Sequence, residues 1–200
     1  MSNIVTQLPG FQDSIHDSQR TFRALLNANS RPGKPYQINA EMTVPVDLIP
    51  ACGAAALTLL DLDVFVWLQP NFSDQVKAWL LFHTGCRFTE HPEKADFALI
   101  QDLEKLPELS IFKWGTAEKP ETSTTLLIQV ESFATGKPVT LTGAGILEKQ
   151  LITPTLPQKY WDLWKQNYQA YPQGLDVFLF TKNLVMGLPR TAKAEVTYDH

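Results

Sequence analysis

Residues 47–68 read DLIPACGAAALTLLDLDVFVWL, and the fold class follows from how that run divides. Residues 47–60 are apolar on every side and rich in small side chains, which suits a helix packed closely all round. Residues 64–68, VFVWL, have β-branched and aromatic content without alternation, and so predict a strand buried on both faces. A buried helix feeding a buried strand implies an α/β sheet covered on two sides. The most apolar window, residues 51–68, is broken by Asp61 and Asp63 and falls short of the roughly 18 or more apolar residues that span a bilayer.

Upstream, Ser14 and Asp17 have capping-box spacing, and Ile15, Phe22, Leu25 and Leu26 fall on one side of a helix that Pro32-Gly33 must end. Downstream, Ser73 can cap a helix with Val76, Trp79, Leu80 and His83 at i, i+3, i+4 and i+7, closed by Gly85. Residues 97–100, 125–130 and 139–142 predict strands, and the Pro- and Glu-containing stretch 106–122 reads as loop. Tyr160, Trp161, Leu163, Trp164, Tyr168 and Tyr171 mark a late helix stopped by Pro172. Residues 175–180 and 184–188 predict a closing hairpin. The expectation is one domain over residues 1–200, a three-layer α/β/α fold with a mixed sheet.

Seventeen Lys plus Arg against twenty-one Asp plus Glu, a net charge of −4, lacks the basic footprint of a nucleic-acid binder. Charged residues reach only 19%, against about 25% in ordinary domains. Charge is what interface cores lack, so burial of part of the surface by a partner is expected. The first twenty residues have neither the basic start nor the apolar run of a secretory signal. A cytoplasmic chain is expected, with Cys52 and Cys86 buried and reduced.

The run LTGAGI at residues 141–146 follows a strand, and Gly143 and Gly145 could bring backbone N–H groups close to an anion. The dinucleotide fingerprint fails, because Glu148 stands where a third Gly or Ala is needed. A simple tight turn and a ligand-facing turn both stay open. His83, Cys86 and His91 supply half a zinc motif without its second pair, so no metal site is expected, and His83 is read as structural. Ser110-Ile-Phe-Lys113 matches SxxK without an accompanying KTG. Of five arginines, Arg190 alone follows the closing hairpin, beside Pro189. Its fork suits paired hydrogen bonds to an anion. Gly143, Gly145 and Arg190 are therefore the candidate ligand surface, with loss of the Arg190 side chain expected to spare folding. The rival reading makes Arg190 a solvated or interface ion pair. Arg23, His83 and Asp176 are further candidates, for a pocket wall or for structure. No catalytic residue is assigned.

Ordered along the chain are Gln19, Phe22, Arg23, Leu25 and Leu26 with Ser30, Pro32 and Gly33; Leu59, Asp61, Asp63 and Trp67 before Phe82-His83-Thr84; the LTGAGI run; Pro154 with Leu156-Pro157; Pro172, Gly174 and Asp176; and Pro189-Arg190-Thr191 with Glu195-Val196. In that order and spacing, over residues 14–196, the sequence resembles the PhnH family, the H subunit of bacterial carbon–phosphorus lyase in phosphonate metabolism. The resemblance implies a fold similar to the large domain of pyridoxal-phosphate-dependent transferases, without that cofactor or its Schiff-base lysine. It implies a core assembly with the G, I and J subunits, and a homodimer when isolated. Within the assembly the H subunit is required when methylphosphonate displaces adenine from the ribose of ATP, giving ribose 1-methylphosphonate 5-triphosphate. It is not expected to act alone. Ala192-Lys193 departs from the family's Thr-His, which puts any role of a C-terminal histidine in doubt. A purely structural scaffold of that assembly and a stand-alone pyridoxal-phosphate-type transferase are the alternatives.

Overall fold

The computed structural model describes residues 8–197. Residues 1–7, on which part of the reading of the first twenty rests, and residues 198–200 lie outside it. Helix α1 (Ser14–Ser30) is capped by Asp13 rather than Ser14: the Asp13 carboxylate accepts from the His16 N–H at 3.1 Å, and the Asp13 N–H donates to Asp17 at 3.0 Å. Strand β1 (Pro35–Gln37) leads to α2 (Pro50–Leu59). That helix begins at its proline because the ring is tolerated only in the first turn, and its residues 51–56 are buried. Strand β2 (Phe65–Leu68) follows, with Phe65 partly exposed and only its middle buried. Helix α3 (Asp74–Thr84) ends at Gly85, whose φ of 68° is the left-handed conformation that closes a helix. Then come β3 (Arg87–Phe88), β4 (Phe97–Ile100), β5 (Thr125–Gln129), β6 (Val139–Gly143), β7 (Gln150–Ile152), α4 (Gln158–Gln169), β8 (Asp176–Phe180), β9 (Leu184–Leu188) and β10 (Ala192–Val196). The stretch read as loop carries two 3-10 turns, Leu109–Ile111 and Pro120–Thr122.

Seven strands form one mixed sheet in the order β1-β9-β8-β5-β4-β2-β3. The five from β8 to β3 run parallel, while β9 and β1 add antiparallel neighbours at one side. Alternation along each strand divides the side chains between two cores. Val66, Leu99, Leu127, Phe180 and Val185 pack under α1, α2 and α3. Trp67, Ala98, Ile100, Leu126, Ile128, Val177 and Leu179 point the other way, toward Tyr160, Trp161, Leu163 and Trp164 of α4. On that second face the expected helical layer is only partly helical. A small antiparallel sheet, β10-β6-β7, lies beside α4 and contributes Val139, Leu141 and Ile152 to the same core. No helix of the described residues is long and apolar enough to cross a membrane.

Helix α1 turns most of its large apolar residues outward. Leu25 is buried, together with Asp17, Thr21, Ala24 and Ala28, but Ile15, Phe22 and Leu26 point outward at 77%, 51% and 58% exposure. The reason lies beneath the helix. A Cβ placed on Gly187 of β9 would collide with the Ala28 carbonyl, so helix backbone rests directly on strand backbone and only small side chains fit between. The Gly33 N–H donates to the Gly187 carbonyl at 3.1 Å and fixes the end of α1 to the same point.

Candidate functional site

Open α/β sheets commonly bind ligands beyond the carboxyl ends of their parallel strands. At that edge Gln69, just past β2, is 4% exposed, and its amide ties the end of β2 to the turn after β4. Its Oε1 accepts from the Gln101 and Asp102 N–H groups at 3.0 and 2.8 Å, and its Nε2 donates to the carbonyls of Asp102 and Lys105 at 2.9 and 3.2 Å. Both donors and both acceptor positions of the amide are engaged. Gln129, at the end of β5, does the same for the start of α2, accepting from the Ile49 N–H at 2.6 Å and donating to the Asp47 carbonyl at 2.9 Å. Outside these latches lies an open cavity of about 600 Å³ edged by Asp47, Asp102, Glu104 and Glu131. A hydrogen bond from the Lys105 side chain holds the Asp102 carboxyl below its usual range. Four carboxylates around one mouth repel a phosphate or phosphonate dianion. Among the described residues no group of His, Cys, Asp and Glu is placed to hold a metal ion.

Arg190 and Asp176 meet near the opposite end of the sheet. The Arg190 Nε and Nη2 donate to the two Asp176 oxygens at 3.2 and 2.6 Å. Nη2 also donates to the Ser123 hydroxyl at 2.7 Å, and Nη1 to the carbonyls of Pro120 and Pro172 at 2.8 and 3.4 Å. The Arg190 backbone N–H adds a bond to Asp176 at 2.8 Å. All five guanidinium donors are thus directed into the protein, and the side chain is 10% exposed. Arg190 is a clasp joining β8, the 3-10 turn at Pro120 and the turn after α4. Its guanidinium points toward Asp176 and these turns, and its loss bears on folding.

Gly143 and Gly145 have φ of 131° and 81°, conformations that favour glycine. A Cβ on Gly143 would collide with the Thr191 carbonyl, and one on Gly145 with the Ser30 carbonyl at the end of α1. Both glycines therefore serve close backbone packing. Beside them is an open cavity of about 450 Å³ whose lining includes Arg31, Lys34, Ile146 and Lys149. The backbone of Gly143 pairs with Ala192, close to Arg190 in the chain.

The remaining candidates separate. Arg23 stands exposed on the outer side of α1. His83 Nε2 donates to the Leu8 carbonyl at 2.9 Å, where the Trp79 indole N–H also arrives at 3.0 Å, so the two rings pin the start of the described chain. Cys52 and Cys86 are buried free thiols, and burial pushes both pKa values up. Lys113, of the SxxK match, places its Nζ 2.7 Å from Asp96. Sequence reasoning missed the two glutamine latches, since nothing around a Gln tells whether its amide is buried. It missed the outward face of α1 too, for which the low charge content was the only signal.

Comparison with known proteins gives a consistent set. A family model described as bacterial phosphonate metabolism protein (PhnH) matches residues 9–195. The chain is similar to the alpha-D-ribose 1-methylphosphonate 5-triphosphate synthase subunit PhnH of Rhizobium meliloti (strain 1021), 37% identical over 92% of this chain and 94% of that protein. It is also similar to the putative C-P lyase subunit protein HtxG of Stutzerimonas stutzeri, 30% identical over 91% of this chain and 88% of that protein.

Proposed function

This chain belongs to the PhnH family of bacterial phosphonate metabolism proteins, and from that premise we propose that it is a subunit of a carbon–phosphorus lyase assembly. It works as one domain with the G, I and J subunits in the step that joins methylphosphonate to the ribose of ATP, and it pairs with itself when isolated. In that step a phosphonate oxygen forms a bond to C1′ of the ribose, the bond from C1′ to adenine breaks, and adenine leaves with a proton on the departing nitrogen. The observation that carries the reading is the nearly end-to-end similarity to a subunit of the ribose 1-methylphosphonate 5-triphosphate synthase of Rhizobium meliloti.

The geometry supports an accessory role. The Gln69 amide at the edge where α/β sheets usually hold ligands is spent on backbone groups, four carboxylates edge the cavity outside it, and the donors of Arg190 are engaged internally. The chemistry then lies chiefly in the neighbouring subunits. The mixed sheet under a helical layer supports kinship with the large domain of pyridoxal-phosphate-dependent transferases. The Lys113 amine is engaged by the Asp96 carboxylate at 2.7 Å.

The test is adenine release from ATP and methylphosphonate by purified subunits. Release should require this chain together with G, I and J, and this chain alone should release none. Full activity of the partners without it, or release by the chain alone, overturns the reading.

A further inference from the structure

The outer face of α1 is built as a contact surface. Ile15, Phe22 and Leu26 recur at i, i+7 and i+11, one helical stripe roughly 16 Å long, and all three are more than half exposed. A lone exposed apolar residue needs no explanation, but a stripe on a helix whose small residues face inward does. The orientation is not a matter of slack packing, because the contact between Ala28 and Gly187 leaves no room for large side chains underneath.

Cations predominate beside the stripe, with Glu148 the carboxylate that shares a cavity lining with Arg31 and Lys34. Asp13 and Asp17, the carboxylates of α1, are taken by His16 and Arg20. Arg23 has no carboxylate partner among the described residues. Arg31 reaches only Asn27 and Tyr36, and Lys34 lies over the Tyr36 ring. Three cations with no ion-pair partner among the described residues thus flank the apolar stripe and the end of the helix, in a chain whose net charge is −4.

We propose that this face docks an amphipathic, acidic segment of a partner subunit of the lyase assembly, with apolar side chains against Ile15, Phe22 and Leu26 and carboxylates against Arg23, Arg31 and Lys34. The proposal rests on the function proposed above, because that reading supplies the partners. An aromatic ring and an arginine at the centre of the face are the side chains that most often dominate protein contacts. The bidentate Arg fork gives the carboxylates a defined geometry. Desolvated Arg–carboxylate pairs also discriminate against partners lacking the acidic residues.

The experiment co-expresses the full chain with the G, I and J subunits and measures how much of it co-purifies. Wild type establishes the assembly itself, and if it stays separate the functional reading fails and this proposal with it. With wild type assembled, Phe22→Asp with Leu26→Asp should reduce co-purification at least tenfold, and Arg23→Glu with Arg31→Glu severalfold. Phe82→Asp, an exposed apolar position on α3, should leave it unchanged. Unchanged assembly of both double variants overturns the proposal while the functional reading stands. Should a variant misfold, hydroxyl-radical footprinting of the wild-type complex decides: Phe22 and Leu26 are protected on assembly if α1 is the interface, and equally labelled if it is not. Two other outcomes also overturn the assignment. One is self-association of the isolated chain lost in the Phe22→Asp, Leu26→Asp variant while co-purification persists. The other is binding of an oligonucleotide lost in the arginine variant, again with co-purification intact.

Discussion

Helices α1 and α4 carry the same kind of apolar periodicity and use it in opposite ways. In α4 the aromatic side is the core: Tyr160, Trp161, Leu163 and Trp164 are all at most 5% exposed. In α1 three of the four large apolar residues face outward, and the inner side is Asp17, Thr21, Ala24 and Ala28 with a single Leu. Periodicity tells which residues share a face. Which face turns inward depends on the surface beneath, and that surface comes from elsewhere in the chain. Under α1 it is a glycine in β9 that admits helix backbone. Under α4 it is a broad floor of β-sheet side chains, with Leu106, Leu109 and Phe112 beside them, that takes large rings.

The contrast breaks most visibly at Trp164. It is fully buried, and its indole N–H donates to the Ala192 carbonyl at 2.9 Å. Trp164→Ala should lower unfolding stability by about 3–5 kcal/mol in chemical denaturation. A loss under about 1 kcal/mol would show that α4 is not the core helix that its burial makes it. The Arg190 clasp ties down the turn that follows α4, whereas the ion pair of α1, Asp17 with Arg20, has an exposed arginine. Arg190→Ala leaves Asp176 without its partner and should cost about 3 kcal/mol, seen as a lower denaturant midpoint of the isolated chain. An unshifted midpoint would return Arg190 to the role of a free anion receptor.

Tyr160→Phe sharpens the comparison with a change of opposite sign. The Tyr160 hydroxyl is buried with no hydrogen-bond partner among the described residues, and burial pushes its pKa up. Its removal should raise stability by about 1 kcal/mol. A loss of that size would reveal a partner for the hydroxyl. On α1, Phe22→Ser should change the stability of the isolated chain by no more than about 0.5 kcal/mol, so a thermal melt that drops clearly would mean that Phe22 packs in solution.

The smallest effect is acid fraying. The Asp13 carboxyl is held below its ordinary pKa, first by the His16 backbone N–H, then by the His16 side chain. A depressed carboxyl adds stability above its unfolded pKa and loses it as pH falls through the folded one. The protection of amides in the first turn of α1, taken relative to their intrinsic exchange rates, should therefore fall as pH drops below the usual carboxylate range. The first turn of α4, which follows Pro157 and has no side-chain cap, should show no such step. A step common to both helices would point to global unfolding.

Much of this fold can be read in the chain. Strand β4 matches the expected residues 97–100, and the hairpin of β8 and β9 and the Gly85 stop of α3 fall within a residue of expectation. What escapes is short or of poor β character. Strands β1, β3 and β7 have three, two and three residues, too few to display a period. Strand β10, AKAEV, is built from weak strand formers held by pairing with β6. Missing β7 and β10 is why the second face was expected to be helical. At the candidate site, the need for glycine at positions 143 and 145 was legible but its cause was not. Those glycines make room for the carbonyls of Thr191 and Ser30, contacts between residues distant in the chain. Arg190 and Asp176 could each be singled out, but not as a pair, because fourteen positions separate them and only the turn of the hairpin brings them together.

The seating of Ala28 on Gly187 gives the molecule a stiff joint. Close-packed interiors transmit strain rather than absorb it. Here the contact runs from helix backbone to strand backbone, and the Gly33-to-Gly187 hydrogen bond closes on the same strand residue. Strand β9 ends at Leu188, two positions before Arg190. The C-terminal end of α1, strand β9 and the ionic clasp thus follow one another along a single run of backbone, with no layer of side chains between helix and strand at Gly187.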